Sequence, residues 1–246
     1  MKKVVILQAR ISSSRLPRRV LLELAGRPII HHILDRLETS KEADEICVAI
    51  PEVAAEDELA KSLEKRDVRI VRGPETDVLT RYTIAAYDTH ADIVIRATAD
   101  NPLVDVGVMD AQIRHITENP DTDYVFTKGL PLGVSTETFT RKTLDKLEYL
   151  ARTPLMREHV TYYLVQNPAP FSVVHLEPPA GMGHPELRLT LDTREDFALF
   201  QAIYGEFYAP GTVVNTKEVV SFLLDRPELV KINSKVIQVP NPYALA

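Results

Sequence analysis

The chain lacks most of the features that announce a chemistry at first sight. It has a single cysteine, Cys47, so it can form no internal disulfide, and no metal-ligand cysteine spacing exists. Cys47 stands inside the apolar run Ile46-Cys47-Val48-Ala49-Ile50 and reads as a core residue. Basic residues are the minority. With 29 lysines and arginines against 35 aspartates and glutamates, the net charge is -6, which argues against a general nucleic-acid binder, a class that is usually basic. The apolar run behind Met1-Lys2-Lys3 ends at Gln8 and Arg10, too early for a secretory leader or a membrane span. These absences point to a cytoplasmic protein with neither nucleic acid nor membrane as partner. The usual phosphate signatures are also missing. There is no GxxxxGK[ST] and no GxGxxG after the first apolar run, which disfavours a P-loop NTPase and an ordinary NAD-binding domain. No internal repeat or low-complexity segment is present.

What is there is an alternation. A chain of 246 residues, 45% of them hydrophobic, can build one sizeable α/β domain over 1–246. Val4-Val5-Ile6-Leu7 is a continuous, largely β-branched run, as in a strand buried on both faces. Ile29, Ile30, Ile33, Leu34 and Leu37 follow at helical spacing. Strands are predicted at 46–50, 68–71, 93–95 and 124–126, with helices marked by Leu59 and Leu63, by Val78 to Ala86, and by Val108, Ile113 and Ile116. This order implies a mainly parallel sheet with helices on both faces. The second half is less regular: helices are expected at 140–150, 154–166, 194–207 and 216–224, and strands and loops at 129–139 and 171–191. Pro178 to Gly183 reads as a loop, and the tail 231–246 as an extended segment.

In parallel sheets ligands bind at the carboxyl ends of the strands, so residues 8–19, 72–77 and 96–102 carry the functional reading. The first stretch, Gln8-Ala-Arg-Ile-Ser-Ser-Ser-Arg-Leu-Pro-Arg-Arg, offers four arginines (Arg10, Arg15, Arg18, Arg19) and three serines. Guanidinium forks with hydroxyls and backbone N–H groups suit a triphosphate; the plain reading is a solvated basic loop. Asp100, in Arg96-Ala-Thr-Ala-Asp-Asn-Pro, stands just past a strand. Asp192 follows the alternating Leu187, Leu189 and Leu191 and precedes Thr193 and Asp196, which have the spacing of a capping box. Two carboxylates on rigid elements can hold Mg²⁺, which takes one or two carboxylates plus phosphate oxygens. Taken singly, Asp100 also fits an Asx turn and Asp192 a helix start. His31-His32 needs no catalytic role, because adjacent helical residues diverge.

The run Gln8 to Leu21 with Gly26-Arg-Pro-Ile-Ile resembles the N-terminal motif of the sugar-acid cytidylyltransferases, which include the CMP-KDO and CMP-sialate synthetases, and in particular their spore-coat-polysaccharide SpsF branch. The resemblance extends over roughly residues 3–235. It implies a Rossmann-like nucleotidyltransferase (GT-A-like) fold, CTP as the nucleotide, Mg²⁺ as cofactor, a small acidic acceptor and a homodimer. It also implies triphosphate contacts from Arg10, Ser13, Arg15 and Arg19, although the family usually has lysine where Arg19 stands. Asp100 and Asp192 match the metal-binding "D-x-P" and "D-T-x-E-D" motifs. Arg72-Gly73 matches the branch's R-G-x-x-x-D-V-L-x-R-Y segment, so Arg72 and Gly73 are expected near the cytidine with Gln8, Ala9, Thr98 and Ala99, and Asp77 is expected to fix the loop or to cap a helix. Glu137, Glu158 and His159 fall in G-x-D-x-E-x-F and R-E-H-V-T segments, at the acceptor or dimer boundary within 129–165; Ser135 replaces the usual aspartate. The alternatives are a nucleotidyltransferase for an alditol phosphate or phosphonate, a GT-A-type glycosyltransferase using Asp121-Thr122-Asp123 as a D-x-D motif, and a non-catalytic nucleotide binder.

Overall fold

The computed structural model describes residues 1–13 and 15–237. Ser14 of the arginine-rich stretch and tail residues 238–246 lie outside them. The strands are β1 (Lys3–Gln8), β2 (Glu23–Leu24), β3 (Arg27–Pro28), β4 (Glu45–Pro51), β5 (Arg69–Gly73), β6 (Ile93–Thr98), β7 (Tyr124–Thr127), β8 (Glu137–Thr140) and β9 (Val173–Leu176). The helices are α1 (Ile29–Leu37), α2 (Asp57–Leu63), α3 (Val78–Asp88), α4 (Val106–Glu118), α5 (Arg141–Leu150), α6 (Pro154–Glu158), α7 (Tyr162–Gln166), α8 (Arg194–Phe207), α9 (Thr216–Leu224) and α10 (Pro227–Val230).

Seven strands form one sheet in the order β5-β4-β1-β6-β8-β7-β9, with β2 and β3 as a separate short hairpin. β5, β4, β1 and β6 run parallel, with Gln8 level with Thr98 and Pro51 level with Gly73 at their carboxyl ends. β8 then inserts antiparallel between β6 and β7, and β9 returns parallel to β7. The sheet is therefore mainly parallel with one reversed strand. The central strands are covered on both faces. Val5, Leu7, Val48, Ile50 and Ile95 face a core that includes residues of α1, α2, α4, α8 and α9. Val4, Ile6, Cys47, Ala49 and Val94 face a second core with residues of α3, α5 and α7. This two-sided burial is why the runs are continuous rather than alternating; each such side chain contributes about 1.5–3 kcal/mol when fully buried.

Three expectations about the second half are corrected. Residues 154–166 form two short helices, α6 and α7, because Val160 adopts φ 44° between them, a backbone a β-branched residue cannot carry within a helix. Leu187, Leu189 and Leu191 are buried as the alternation demands, yet the segment contributes only an isolated bridge, Leu132 to Arg188. Its backbone bonds go to loops instead: Leu189 N–H donates to Leu132 O at 2.8 Å and Leu191 N–H to Asp100 O at 2.7 Å. Gly133 makes this close approach possible. It sits at φ 95°, and a Cβ there would lie 2.4 Å from Leu189 O. Finally, residues 231–235 make turns rather than an extended segment, with Val236 N–H donating to Asn233 O at 3.0 Å.

Candidate active site

The arginine loop leaves the end of β1 and is shaped by a buried carboxylate. Glu56 accepts from Ile11 N–H through both carboxylate oxygens, each at 2.9 Å, and is inaccessible to solvent. Burial pushes its pKa up, although the N–H groups of Ile11 and Ser12 work the other way. Arg18 N–H closes the loop on Ile11 O at 3.1 Å, and Leu16 and Val20 turn into the core. Arg18 itself takes φ 60° and pairs with Glu58 at the surface. Arg19 then enters a short 3₁₀ turn, Arg19–Leu21. The effect is to present Arg10 and Arg15 half exposed and Arg19 largely covered at the carboxyl end of β1 and β6.

Asp100 and Asp192, distant in sequence, meet there. The N–H of Leu191 and, at 3.3 Å, the hydroxyl of Thr190 donate to Asp100 O, which ties the two loops together. Thr193 caps α8 in the expected box with Asp196, and so fixes where Asp192 begins. Arg19 bridges the pair, with Nη2 2.9 Å from Asp100 Oδ2 and Nη1 2.6 Å from Asp192 Oδ1. Arg15 and Arg188 each approach Asp192 Oδ2 at 3.1 Å. Burial works against the Asp100 carboxylate, but the Arg19 charge and the Thr98 hydroxyl outweigh it and hold its pKa below the ordinary value. Among the described residues no third histidine, cysteine or acid completes a metal cluster. Thr98 orients Asp100 by donating its hydroxyl to Oδ1, and Asn101 Nδ2 holds Thr98 Oγ1 at 2.8 Å.

The remaining predicted residues divide into two flanks. On one, Ala99 N–H bonds Gln8 O at 3.0 Å and Ala9 N–H bonds Ala49 O at 3.1 Å, while Gln8 Oε1 is buried with no partner. Arg72, next to last in the outer strand β5, donates to Asp57 at 2.7 Å. Gly73 lies over the buried Arg81, whose Cγ a Cβ would meet at 3.2 Å. Asp77 is the N-cap of α3 and accepts from Thr80 N–H at 3.0 Å and from Arg157 at 2.8 Å, so its visible work is capping. On the other flank, Arg10 reaches Glu158 at 3.7 Å. Glu137 is buried and pairs with Arg96. It also accepts from Tyr124 at 2.7 Å and Thr161 at 2.6 Å. His159 is half-buried; burial and then the Arg96 charge lower its pKa. Ser13 donates no charge but holds Leu16 N–H at 3.3 Å through its Oγ.

Glu56, Arg96 and Arg188 were not legible beforehand. Arg188 stands four residues before Asp192, a faint signal; it also pairs with the fully buried Asp196 at 2.8 Å. Glu56 lies in an acidic run that gives no signal at all. Asp121-Thr122-Asp123, the D-x-D candidate, follows α4 in a turn, with Thr122 N–H donating to Asn119 O at 2.9 Å. Asp123 accepts from Ser172 N–H at 3.0 Å and Thr143 Oγ1 at 3.2 Å, and it precedes the amino end of β7, at the opposite end of the sheet from Asp100. His31 and His32 bond separately, to Ser62 Oγ at 3.0 Å and Leu24 O at 2.7 Å.

This arrangement has known counterparts. Residues 4–208 match the family model for cytidylyltransferases. An uncharacterised protein of Methanocaldococcus jannaschii is 37% identical over 97% of both chains. The spore coat polysaccharide biosynthesis protein SpsF of Bacillus subtilis is 31% identical over 91% of this chain and 94% of its own. The structure of a cytidylyltransferase from Leptospira borgpetersenii superposes with a TM-score of 0.87 at 27% identity, covering 97% of this chain and 100% of that one. The matched region contains all of the seven-stranded sheet but Lys3, together with the loops bearing the arginines, Asp100 and Asp192, and with it the chain belongs to the cytidylyltransferase family and is a nucleotidyltransferase.

Proposed function

We propose that the chain transfers CMP from CTP to a hydroxyl of a sugar acid or related small acidic acceptor. The acceptor oxygen forms a bond to the α-phosphorus, the bond from that phosphorus to the bridging oxygen breaks, and pyrophosphate leaves with the electron pair. The hydroxyl proton passes to solvent. The observation that carries this reading is the meeting of Asp100 and Asp192 at the mouth of an arginine loop. Both carboxylates converge on one positive group, which fits a hard divalent ion such as Mg²⁺. Bound there, that ion would supply charge neutralisation at the α-phosphate.

The chain's own residues do the rest. Arg10, Arg15, Arg19 and Ser13 bind the triphosphate and neutralise the leaving pyrophosphate, so that catalysis is mainly positioning and charge stabilisation. Gln8, Ala9, Thr98, Ala99, Arg72 and Gly73 border the nucleoside. Glu158 and His159 face the acceptor with Arg10 and Arg96 beside them; Glu137, the third residue expected there, is buried and acts through Arg96, which it holds in place. Surface glycan biosynthesis is the corresponding role, in line with the name of the Bacillus relative. Exposed Tyr149 and Leu155 support a homodimer through 129–165. An alditol phosphate or phosphonate acceptor has one observation in its favour. Ser135, where the branch has aspartate, is neutral and bonded to Gln112 at 3.0 Å and Thr136 O at 2.9 Å.

The test is pyrophosphate release with each nucleoside triphosphate against panels of sugar acids, alditol phosphates and phosphonates. Release with CTP and one acceptor, abolished by EDTA, is the expected outcome. No release and no CTP binding by calorimetry would overturn the reading.

A further inference from the structure

Two carboxylates brought together at a largely covered site need a counter-charge, and here the chain supplies its own. The guanidinium of Arg19 spans Asp100 and Asp192 with one Nη on each. Its side chain is only 15% exposed. Arg15 and Arg188 add to Asp192, and Arg188 also serves Asp196. Three arginines thus balance three aspartates, and the site is formally neutral before any ligand arrives. A lone divalent ion would have to expel Arg19, which would leave the site with one excess positive charge beside Arg15 and Arg188 and the Arg19 charge itself unpaired, an arrangement strongly disfavoured away from bulk water.

Arg19 is nevertheless incompletely bonded where it sits. Its Nε is buried with no hydrogen-bond partner, although guanidinium presents five donors. A polyphosphate offers more acceptors than the two aspartates and brings the negative charge that a divalent ion requires. Resting on the reading of this site as a triphosphate site, we propose that Arg19 is a displaceable internal cation. It closes the Asp100–Asp192 pair to divalent ions until a polyphosphate draws its donors away, so that metal binding is conditional on nucleotide.

Manganese serves as the probe, followed by electron paramagnetic resonance of the free ion. The wild-type chain without nucleotide should leave the Mn²⁺ signal unchanged at millimolar concentrations. Arg19→Gln should bind Mn²⁺ without nucleotide at least about tenfold more tightly, since a full positive charge in contact with both ligands is gone. Adding Asp192→Asn to that variant should abolish the gain and locate it at this pair. Arg19→Lys, which keeps the charge but lacks the fork, should fall between the two and serves if the Gln variant does not fold. Wild-type chain that binds Mn²⁺ alone as tightly as either folded variant would overturn the proposal. The wild type with α,β-methylene-CTP should take up more Mn²⁺ than the same concentration of the analogue alone. An analogue that does not bind would overturn the nucleotide reading, while the nucleotide-free titrations still decide the role of Arg19.

Discussion

The parallel half of the sheet and its extension are held by different forces. In β5-β4-β1-β6 nearly every inward side chain is aliphatic, and order follows from burial on two faces. Beyond β6 the organising contacts are polar. Glu137 gathers Arg96, Tyr124 and Thr161. Gln112 joins Thr127, Thr136 and Thr138, and Arg188 joins Asp192 and Asp196. Apolar packing is tolerant of detail, whereas a buried polar network works only when each member is satisfied. The candidate site sits on the seam: Arg10, Arg15, Arg19 and Asp100 come from the first half, Arg188 and Asp192 from the second.

Replacing Asp100 by Ala tests the seam itself. Turnover should fall on the order of 10²–10³-fold with circular dichroism unchanged; near-normal turnover would remove the two-aspartate model. Arg188→Ala attacks the polar half. It takes the paired cation from the fully buried Asp196, which keeps its hydrogen bonds from Asn233 and the N–H groups of Asp192 and Thr193, and should cost about 3–5 kcal/mol in urea denaturation. The sign with pH follows. Burial tends to raise the Asp196 pKa, but Arg188 and Asn233 hold it below 3.8. Its stabilisation is therefore present above that value and is lost as pH falls through the lowered pKa. Arg188→Ala should flatten this acid-side loss, and an unchanged acid limb would contradict the assignment. Ile6→Ala attacks the apolar half and should cost about 2–5 kcal/mol without altering the acid limb. A cost that vanished at low pH would erase the contrast between the halves. Smallest is Gly133→Ala. The clash with Leu189 O should cost about 1–3 kcal/mol and raise KM through Asp192, and a neutral result would show that the 187–191 segment can shift freely.

The same contrast explains what the sequence made legible. β1, β4, β5 and β6 and the helices between them follow from the period of their apolar residues, and the carboxyl-end rule directs attention to the arginine loop and Asp100. The capping box at Thr193 is local and could be read directly. Val160 could not, because a positive φ in a β-branched residue is imposed by tertiary contacts. Leu187 to Leu191 misled for a related reason: alternation reports that one face is buried, not that a strand partner exists. Glu56 is placed by a partner 45 residues away, Ile11, and no pattern within a window contains such a pairing; Arg188 is four and eight residues from Asp192 and Asp196, but outside a regular element that spacing fixes no common face.

Cys47 lies in β4 with no exposure, and burial pushes its thiol up to about 12. Only the thiolate attacks disulfide and maleimide reagents, so the thiol is silent while the sheet is shut. Because the chain has no other cysteine, labelling chronicles a single event, the parting of the central strands. The ratio of its rate in buffer to its rate in denaturant then counts the open molecules in a population at rest. A residue with no part in the proposed nucleotide chemistry is thereby a clock for the whole fold.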